Sequence, residues 1–369
     1  MESVKARRGI LDLAPYIPGK PIEEVQREYG LTEVVKMASN ENPLQTSPRS
    51  MEAMRAELER VFMYPEGSSP ALRAALAERL GVEPSQIVVG TGGDHVITMV
   101  TEAFVNEGEE VIVPVPSFKT FESGTVIMGG RLVGVPVREE SLALDLEAML
   151  DAVTERTKLI FLCNPNNPTG TIVRRREVES FLERAPGHCL VVFDEAYFEY
   201  AEDPDYPDGL DYVRQGRNVL VIRTFSKVYG LAGLRIGYAV GPPEIMNVLT
   251  RVLPPFPANR VAQAGALAAL GDEEFLREVL RVNRQGRDYL RAELEKMGMT
   301  CAESQANFLF VDVGRDAAAL SAELLPRGFI VRPGGGWGRP TFFRITIGTM
   351  DENQRFIATL RELVEADSR

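Results

Sequence analysis

Between residues 87 and 241, short apolar runs rich in β-branched residues alternate with helical stretches, and this limits the folds open to the chain more than any other feature. The runs are Ile87–Val89, Glu110–Val113, Arg131–Val135, Lys158–Leu162, Leu190–Phe193, Val219–Ile222 and Ile236–Val240. Most are near-continuously apolar, as strands covered on both faces are. Helical periodicity falls at about 94–106, 117–127, 145–152 and 175–184. The pattern predicts an α/β fold: a mostly parallel mixed sheet with helices on both faces, whose ligands sit beyond the carboxyl ends of the strands. After Gly241-Pro242-Pro243 the pattern changes. Helices near 243–252, 260–297, 316–326 and 351–366, with strands at 307–313, 329–332 and 342–347, predict a smaller C-terminal α+β unit. Ahead of the sheet, Pro15, Pro18 and Pro21 predict an extended arm and a short helix to Tyr29, followed by helices over 50–61 and 70–80. The expected division is an N-terminal arm and helix over 1–35, a large domain over 36–255 and a small domain over 256–369.

With 369 residues the chain is long enough for two such units, and 44% hydrophobic with 25% charged residues is ordinary for a soluble globular protein. A net charge of -12 argues against a nucleic-acid or anionic-membrane partner. An anionic ligand must therefore be held by locally placed arginines. No apolar run reaches the roughly 18 residues of a membrane span, and no apolar signal core follows Arg8. Cys163, Cys189 and Cys301 show neither a disulfide framework nor a metal spacing, and His95 and His188 are the only histidines. A cytoplasmic protein without a bound metal is expected.

Polar clusters follow directly on the predicted strands. Gly90-Thr91-Gly92-Gly93-Asp94-His95 joins a strand to a helix, and its glycines let backbone N–H groups approach an anion. The dinucleotide spacing Gly-x-Gly-x-x-Gly is not met, since His95 stands at the third glycine. In Pro116-Ser117-Phe118-Lys119-Thr120-Phe121 an aromatic can stack on a flat ring, or simply pack in the core. Asn164-Pro165-Asn166-Asn167-Pro168-Thr169-Gly170 is a rigid turn that aims amide side chains into a cleft. Asp194-Glu195-Ala196-Tyr197 ends a fully apolar strand, where an acid is costly without a partner. It can keep a pyridinium nitrogen protonated, or serve as a helix N-cap.

The segment Arg223-Thr224-Phe225-Ser226-Lys227-Val228-Tyr229-Gly230 supplies a lysine between hydroxylic residues, answered eight residues on by Arg235. Such a lysine either snorkels from a strand end into solvent or forms an imine with a phosphorylated aldehyde, the hydroxyls and guanidinium taking the phosphate. Together the clusters form a socket for pyridoxal phosphate. Glycine amides, Thr224, Ser226 and Arg235 serve the phosphate, and Asp194 the ring nitrogen. Asn167 and Tyr197 serve the ring oxygen, Phe118 the ring face, and Lys227 the aldehyde and then proton transfer.

These motifs, in this order, resemble the fold-type-I pyridoxal-phosphate aminotransferases and, among them, the histidinol-phosphate aminotransferases. The resemblance also covers Leu13-Ala14-Pro15-Tyr16, Ser39-Asn40-Glu41-Asn42-Pro43-Leu44, Tyr64-Pro65-Glu66-Gly67, Ser304-Gln305-Ala306-Asn307-Phe308 and Arg344-Ile345-Thr346-Ile347-Gly348-Thr349. It implies that Gly93 and Asp94 belong to the phosphate turn and that Tyr64 reaches into the other subunit's site, making a homodimer with shared sites. It further implies that Arg332 and Arg344 face substrate anions, with Tyr16 and Asn40 on the substrate side; surface salt bridges are the other reading of the two arginines. Three positions depart from the family's pattern: Gly92-Gly93-Asp94-His95, Gln45 after Asn42-Pro43-Leu44, and Phe256-Pro257-Ala258-Asn259. His95 is either a proton donor or acceptor beside the phosphate turn or a first-turn residue of a helix. The expected activity is transamination in amino-acid (histidine) biosynthesis, from L-histidinol phosphate to 2-oxoglutarate. An aromatic amino acid donor is the alternative, as is decarboxylation or oxidation on the same fold.

Overall fold

The computed structural model describes residues 4–15 and 19–367. A two-residue strand, β1 (Val35–Lys36), precedes the large sheet. That sheet contains β2 (Ile87–Gly90), β3 (Glu110–Val115), β4 (Arg131–Pro136), β5 (Thr157–Cys163), β6 (Leu190–Asp194), β7 (Val219–Thr224) and β8 (Gly237–Val240). Its order is β2-β8-β7-β6-β5-β3-β4. The pairs from β7 to β4 are parallel, while β8 runs against both neighbours. Between β7 and β8 the chain makes only a short 3-10 turn, Ala232–Leu234, before Arg235 turns it back at a φ of 53°. Without a crossover helix the next strand returns antiparallel.

Alternation along each strand feeds two cores. In β5, Ile160 and Leu162 pack on one face and Leu159 and Phe161 on the other. β2, β5, β6 and β7 all point the same way, so Gly90, Cys163, Asp194 and Thr224 end at one edge of the sheet. Gly237 lies opposite both Gly90 and Thr224, and a Cβ there would stand 2.9 Å from the Gly92 and Gly93 backbone. A glycine is what lets the turn after β2 settle against the end of β7.

The second sheet is antiparallel: β9 (Thr300–Cys301), β10 (Phe308–Asp312), β12 (Arg332–Pro333) and β13 (Phe342–Thr346), in the order β12-β13-β10-β9. The strand expected over 329–332 is instead two, because β11 (Phe329–Ile330) pairs with β1 and only β12 joins the sheet. The helical tract expected over 260–297 is broken into Arg260–Leu270 and Glu273–Lys296. The break is at Gly271, where the Asp272 side chain caps the second helix by accepting from Phe275 N–H at 3.2 Å. The helix expected from 117 begins at Thr120.

Core membership also crosses the expected boundaries. Ala262, Ala266 and Leu270 pack into the large-sheet core, whereas Val35 and Met37 pack with β10 and β13. On these contacts we propose that the large unit runs on to about residue 270 and that β1 belongs with the small one. Among the described residues no helix is long and apolar enough to cross a membrane.

Two left-handed positions meet where the loop after β1 crosses the loop after β7: Gly230 at φ 67° and Gln45 at φ 65°. A Cβ on Gly230 would lie 1.9 Å from the Gln45 carbonyl oxygen. Gly230→Ala is expected to lower stability by more than about 2 kcal/mol. Gln45→Gly relieves a comparable backbone conformation without a clash and loosens the unfolded chain, so its net change stays under about 1 kcal/mol. Urea unfolding of both variants measures the contrast.

Candidate active site

The sheet edge carries a cavity of about 500 Å³, lined by residues from both sheets and from the loop after β1. Lys227 stands in its wall. Its Nζ donates to the Ser39 carbonyl at 3.3 Å and lies 5.6 Å from the centre of the Tyr197 ring. Burial, helped by the positive charge of Arg344, lowers the amine to a pKa of about 8. In the same cavity, Asp194 closes β6 and is only 4% exposed. Burial pushes its carboxyl up to about 7, and its one hydrogen bond is from the Ala196 N–H at 3.1 Å. The carboxylate thus caps its own turn and still faces the cavity, in no salt bridge among the described residues, although the charge of Lys227 partly offsets the rise.

The next residue, Glu195, turns to the other face of the strand. There Arg223 donates to it from two nitrogens at 2.9 and 2.8 Å, and the Gly209 N–H adds a bond at 2.8 Å. Arg223 also reaches Asp208 at 2.7 Å and lies 3.5 Å over the Phe198 ring. This buried clamp fixes the backbone from which Asp194 projects.

The turn after β2 and the loop after β7 meet on one side of the cavity. Gly93, Asp94, Thr224, Ser226 and Arg235 line it together. Arg235 pairs with Asp94 at 3.0 Å, and Thr224 Oγ1 accepts from the Ser226 N–H at 3.0 Å. His95 is a first-turn helix residue whose Nδ1 accepts from the Thr91 N–H at 3.0 Å, so its proton is on Nε2. Burial lowers its pKa. The third departing segment touches the same turn, since Thr91 Oγ1 donates to the Pro257 carbonyl at 2.5 Å.

Of the three asparagines in the turn after β5, two are used to build it. Asn164 bonds both backbone groups of Val173, and Asn166 ties Ser117, Pro116 and Thr169 together. Asn167 alone faces the cavity, where Arg344 donates to its Oδ1 at 2.5 Å. Phe118 lines the cavity and meets Phe121 edge to face. Asn40 is buried, with its side chain between Tyr197 and Thr346.

Arg332 and Arg344 stand directly opposite each other on β12 and β13, and both line the cavity. Arg344 also donates to the Ala38 carbonyl at 2.6 Å and lies 5.3 Å from the centre of the Trp337 ring, so its guanidinium is held in place in that wall. The Lys119 side chain, also lining the cavity, makes no hydrogen bond or ion pair among the described residues. Composition gives no signal for Lys119, and Thr346 is visible only as part of a quoted motif. Tyr16 lies outside the described residues. Tyr64 does not line this cavity: it is 78% exposed and stacks on Phe256 with ring centres 4.6 Å apart.

A cavity lined by a lysine of lowered pKa, a buried acid and the guanidinium groups of Arg235, Arg332 and Arg344 suits a phosphorylated heteroaromatic aldehyde. A family model described as aminotransferase class I and II matches residues 32–360. The chain belongs to that family. It is 48% identical to histidinol-phosphate aminotransferase from Moorella thermoacetica, over 98% of this chain and 93% of that one. It is 43% identical to histidinol-phosphate aminotransferase 2 from Carboxydothermus hydrogenoformans, over 97% and 99%. Among solved structures, histidinol-phosphate aminotransferase from Sinorhizobium meliloti, in complex with pyridoxal-5'-phosphate, superposes with a TM-score of 0.90 at 29% identity and covers 99% of both chains. The fold and family are those implied by the sequence motifs.

Because Arg344 contributes to the lowered pKa of Lys227, Arg344→Gln should move that pKa upward, toward the ordinary 10.5. The rate of acylation of Lys227 in cofactor-free protein, followed against pH, should show a midpoint near 8 in the wild type and a higher one in the variant.

Proposed function

We propose that this protein is a cytoplasmic pyridoxal-phosphate-dependent aminotransferase of histidine biosynthesis that takes the amino group of L-histidinol phosphate and delivers it to 2-oxoglutarate. The observation that carries the reading is the meeting of Lys227 and Asp194 in one cavity, in a chain whose relatives bear that name. The donor set fits the cofactor. Asp194, buried and in no salt bridge among the described residues, suits a positively charged ring nitrogen, and that charge would draw its pKa back down. Asn167 and Tyr197 would hold the ring oxygen, and Phe118 the ring face. Gly93, Asp94, Thr224, Ser226 and Arg235 would hold the phosphate, Arg235 leaving Asp94 to do so.

Bound there, pyridoxal phosphate supplies an aldehyde for amine exchange and a ring that accepts the electron pair from the donor's Cα. The remaining work belongs to the chain. Lys227, whose amine is half-protonated near pH 8, would hold the aldehyde and then move the proton from the donor's Cα to the former aldehyde carbon. Arg332 and Arg344 receive in turn the donor's phosphate and the carboxylate of the 2-oxo acid, and Lys119 adds a third cation to that wall. Asn40 would stand on the substrate side, where the family resemblance also assigns Tyr16.

The site is completed by a second copy of the chain. Leu58, Val61, Phe62, Met63 and Tyr64 form an exposed apolar stretch, with Phe62 82% exposed, next to Phe256. So much apolar surface in one short segment suits an isologous dimer, in which Tyr64 reaches the other copy's cavity.

Mixed with L-histidinol phosphate, the wild-type protein should lose the cofactor's visible band and regain it on addition of 2-oxoglutarate. Lys227→Ala should bind the cofactor through its phosphate and lose turnover by about 10⁴-fold or more. Appreciable turnover by that variant would rule the assignment out. Phe62→Glu should sediment as a monomer and lose most activity, whereas Tyr64→Phe should remain dimeric; a Phe62→Glu monomer of full activity would remove the shared site.

A further inference from the structure

A chain of hydrogen bonds runs from the small sheet into the wall of the cavity. Thr346 ends β13, is 4% exposed, and its Oγ1 accepts from the Asn40 backbone N–H at 2.9 Å. Its own proton is then free to be given, and Asn40 Oδ1 lies 3.2 Å away to take it. That bond decides which way the Asn40 amide faces: Oδ1 toward Thr346, Nδ2 toward the Tyr197 oxygen at 2.9 Å. The Tyr197 oxygen therefore accepts, which leaves its proton to point into the cavity the residue lines.

Turned over, the amide would set Nδ2 against Thr346 and Oδ1 against Tyr197. The Thr346 proton would lose its acceptor in a buried place, and the Tyr197 proton would be drawn away from the cavity toward Asn40. Asn40 has little freedom to avoid the choice. Its backbone sits at φ 58°, its carbonyl accepts from Asn307 Nδ2 at 3.0 Å, and Thr346 N–H donates to the Met37 carbonyl at 2.8 Å.

We propose that Thr346 is a positioning residue which, through the Asn40 amide, aims the Tyr197 hydroxyl proton at the ring oxygen of the cofactor. The inference rests on the reading of the cavity as a pyridoxal-phosphate site. A proton given to that oxygen favours its anionic form, so the hydrogen-bond chain lowers the pH at which the bound cofactor's visible band titrates. The charged and titratable groups around Tyr197 are Lys227, Arg344, Asp194 and Cys163.

Thr346→Val keeps the side-chain shape and removes both donor and acceptor, while Thr346→Ser keeps the hydroxyl. Wild type, both variants and Tyr197→Phe are loaded with pyridoxal phosphate, and the visible band is titrated against pH. Borohydride reduction of the loaded wild type, followed by peptide mapping, locates the labelled residue. The titration midpoint of Thr346→Val should rise by at least about half a pH unit, in the same direction as that of Tyr197→Phe, with Thr346→Ser within about 0.2 unit of wild type. A merely structural role would lower the melting temperature of Thr346→Val and leave the midpoint where it was. An unmoved midpoint in Thr346→Val beside a raised one in Tyr197→Phe overturns the role of Thr346 and leaves the cofactor reading intact. A midpoint unmoved in all the variants overturns the proton's direction itself, and a label on any residue other than Lys227 overturns both readings.

Discussion

A carboxylate held at the end of a buried strand, in no salt bridge among the described residues, is the constraint on which the rest of the structure turns. Ionised and unpaired in such a place, an acid costs several kcal/mol, and the rise of Asp194 to about 7 expresses that cost. The group stays there because its backbone is held from all sides. Asn164 N–H donates to its carbonyl at 3.0 Å, Glu195 N–H donates to the Ile222 carbonyl at 2.9 Å, and the Arg223 clamp grips Glu195 from behind. Sheet hydrogen bonds and a satisfied ion pair thus hold in place a group that is destabilising by itself. Such an arrangement marks a site built to receive a positive charge.

The other contributors reach that carboxylate by close approach of backbone. Gly237 lets the turn after β2 lie against the end of β7, and Gly230 admits the Gln45 carbonyl so that the loop after β1 crosses the lysine loop. Asn42 binds across the same crossing, its Nδ2 donating to the Val228 carbonyl at 2.8 Å. Through that loop the small sheet becomes part of the cavity, since Thr346, Asn307 and Arg344 all hold residues 38–40. The lysine and acid of the large sheet and the cavity-lining arginines of the small one are therefore parts of a single hydrogen-bonded body.

Much of the fold could be read from the chain because its signals are local. Seven apolar runs separated by helical periods predict the large sheet, and the strand-end positions of Gly93, Asn167, Asp194 and Thr224 follow from the same pattern. Periodicity does not carry the particular side-chain and strand contacts that divide or join segments. The residues 329–332 look like one strand until β1 claims its first half, and the 260–297 tract looks like one helix until Asp272 caps a second. Nor does the sequence distinguish the three asparagines after β5, since which amide faces the cavity depends on what Val173, Ser117 and Pro116 take from the others.

By itself, then, the sequence determined the class of fold, the lysine, the acid and the order of the polar turns that belong at the strand ends, because periodicity and turn chemistry are written in neighbouring residues. Only the tertiary structure decided that Arg332 and Arg344 face each other across two strands, that His95 caps its own helix turn, and that Thr346 sets the Asn40 amide. Each of these is a contact in space whose direction depends on which donors are already taken, and a one-dimensional pattern does not carry that information.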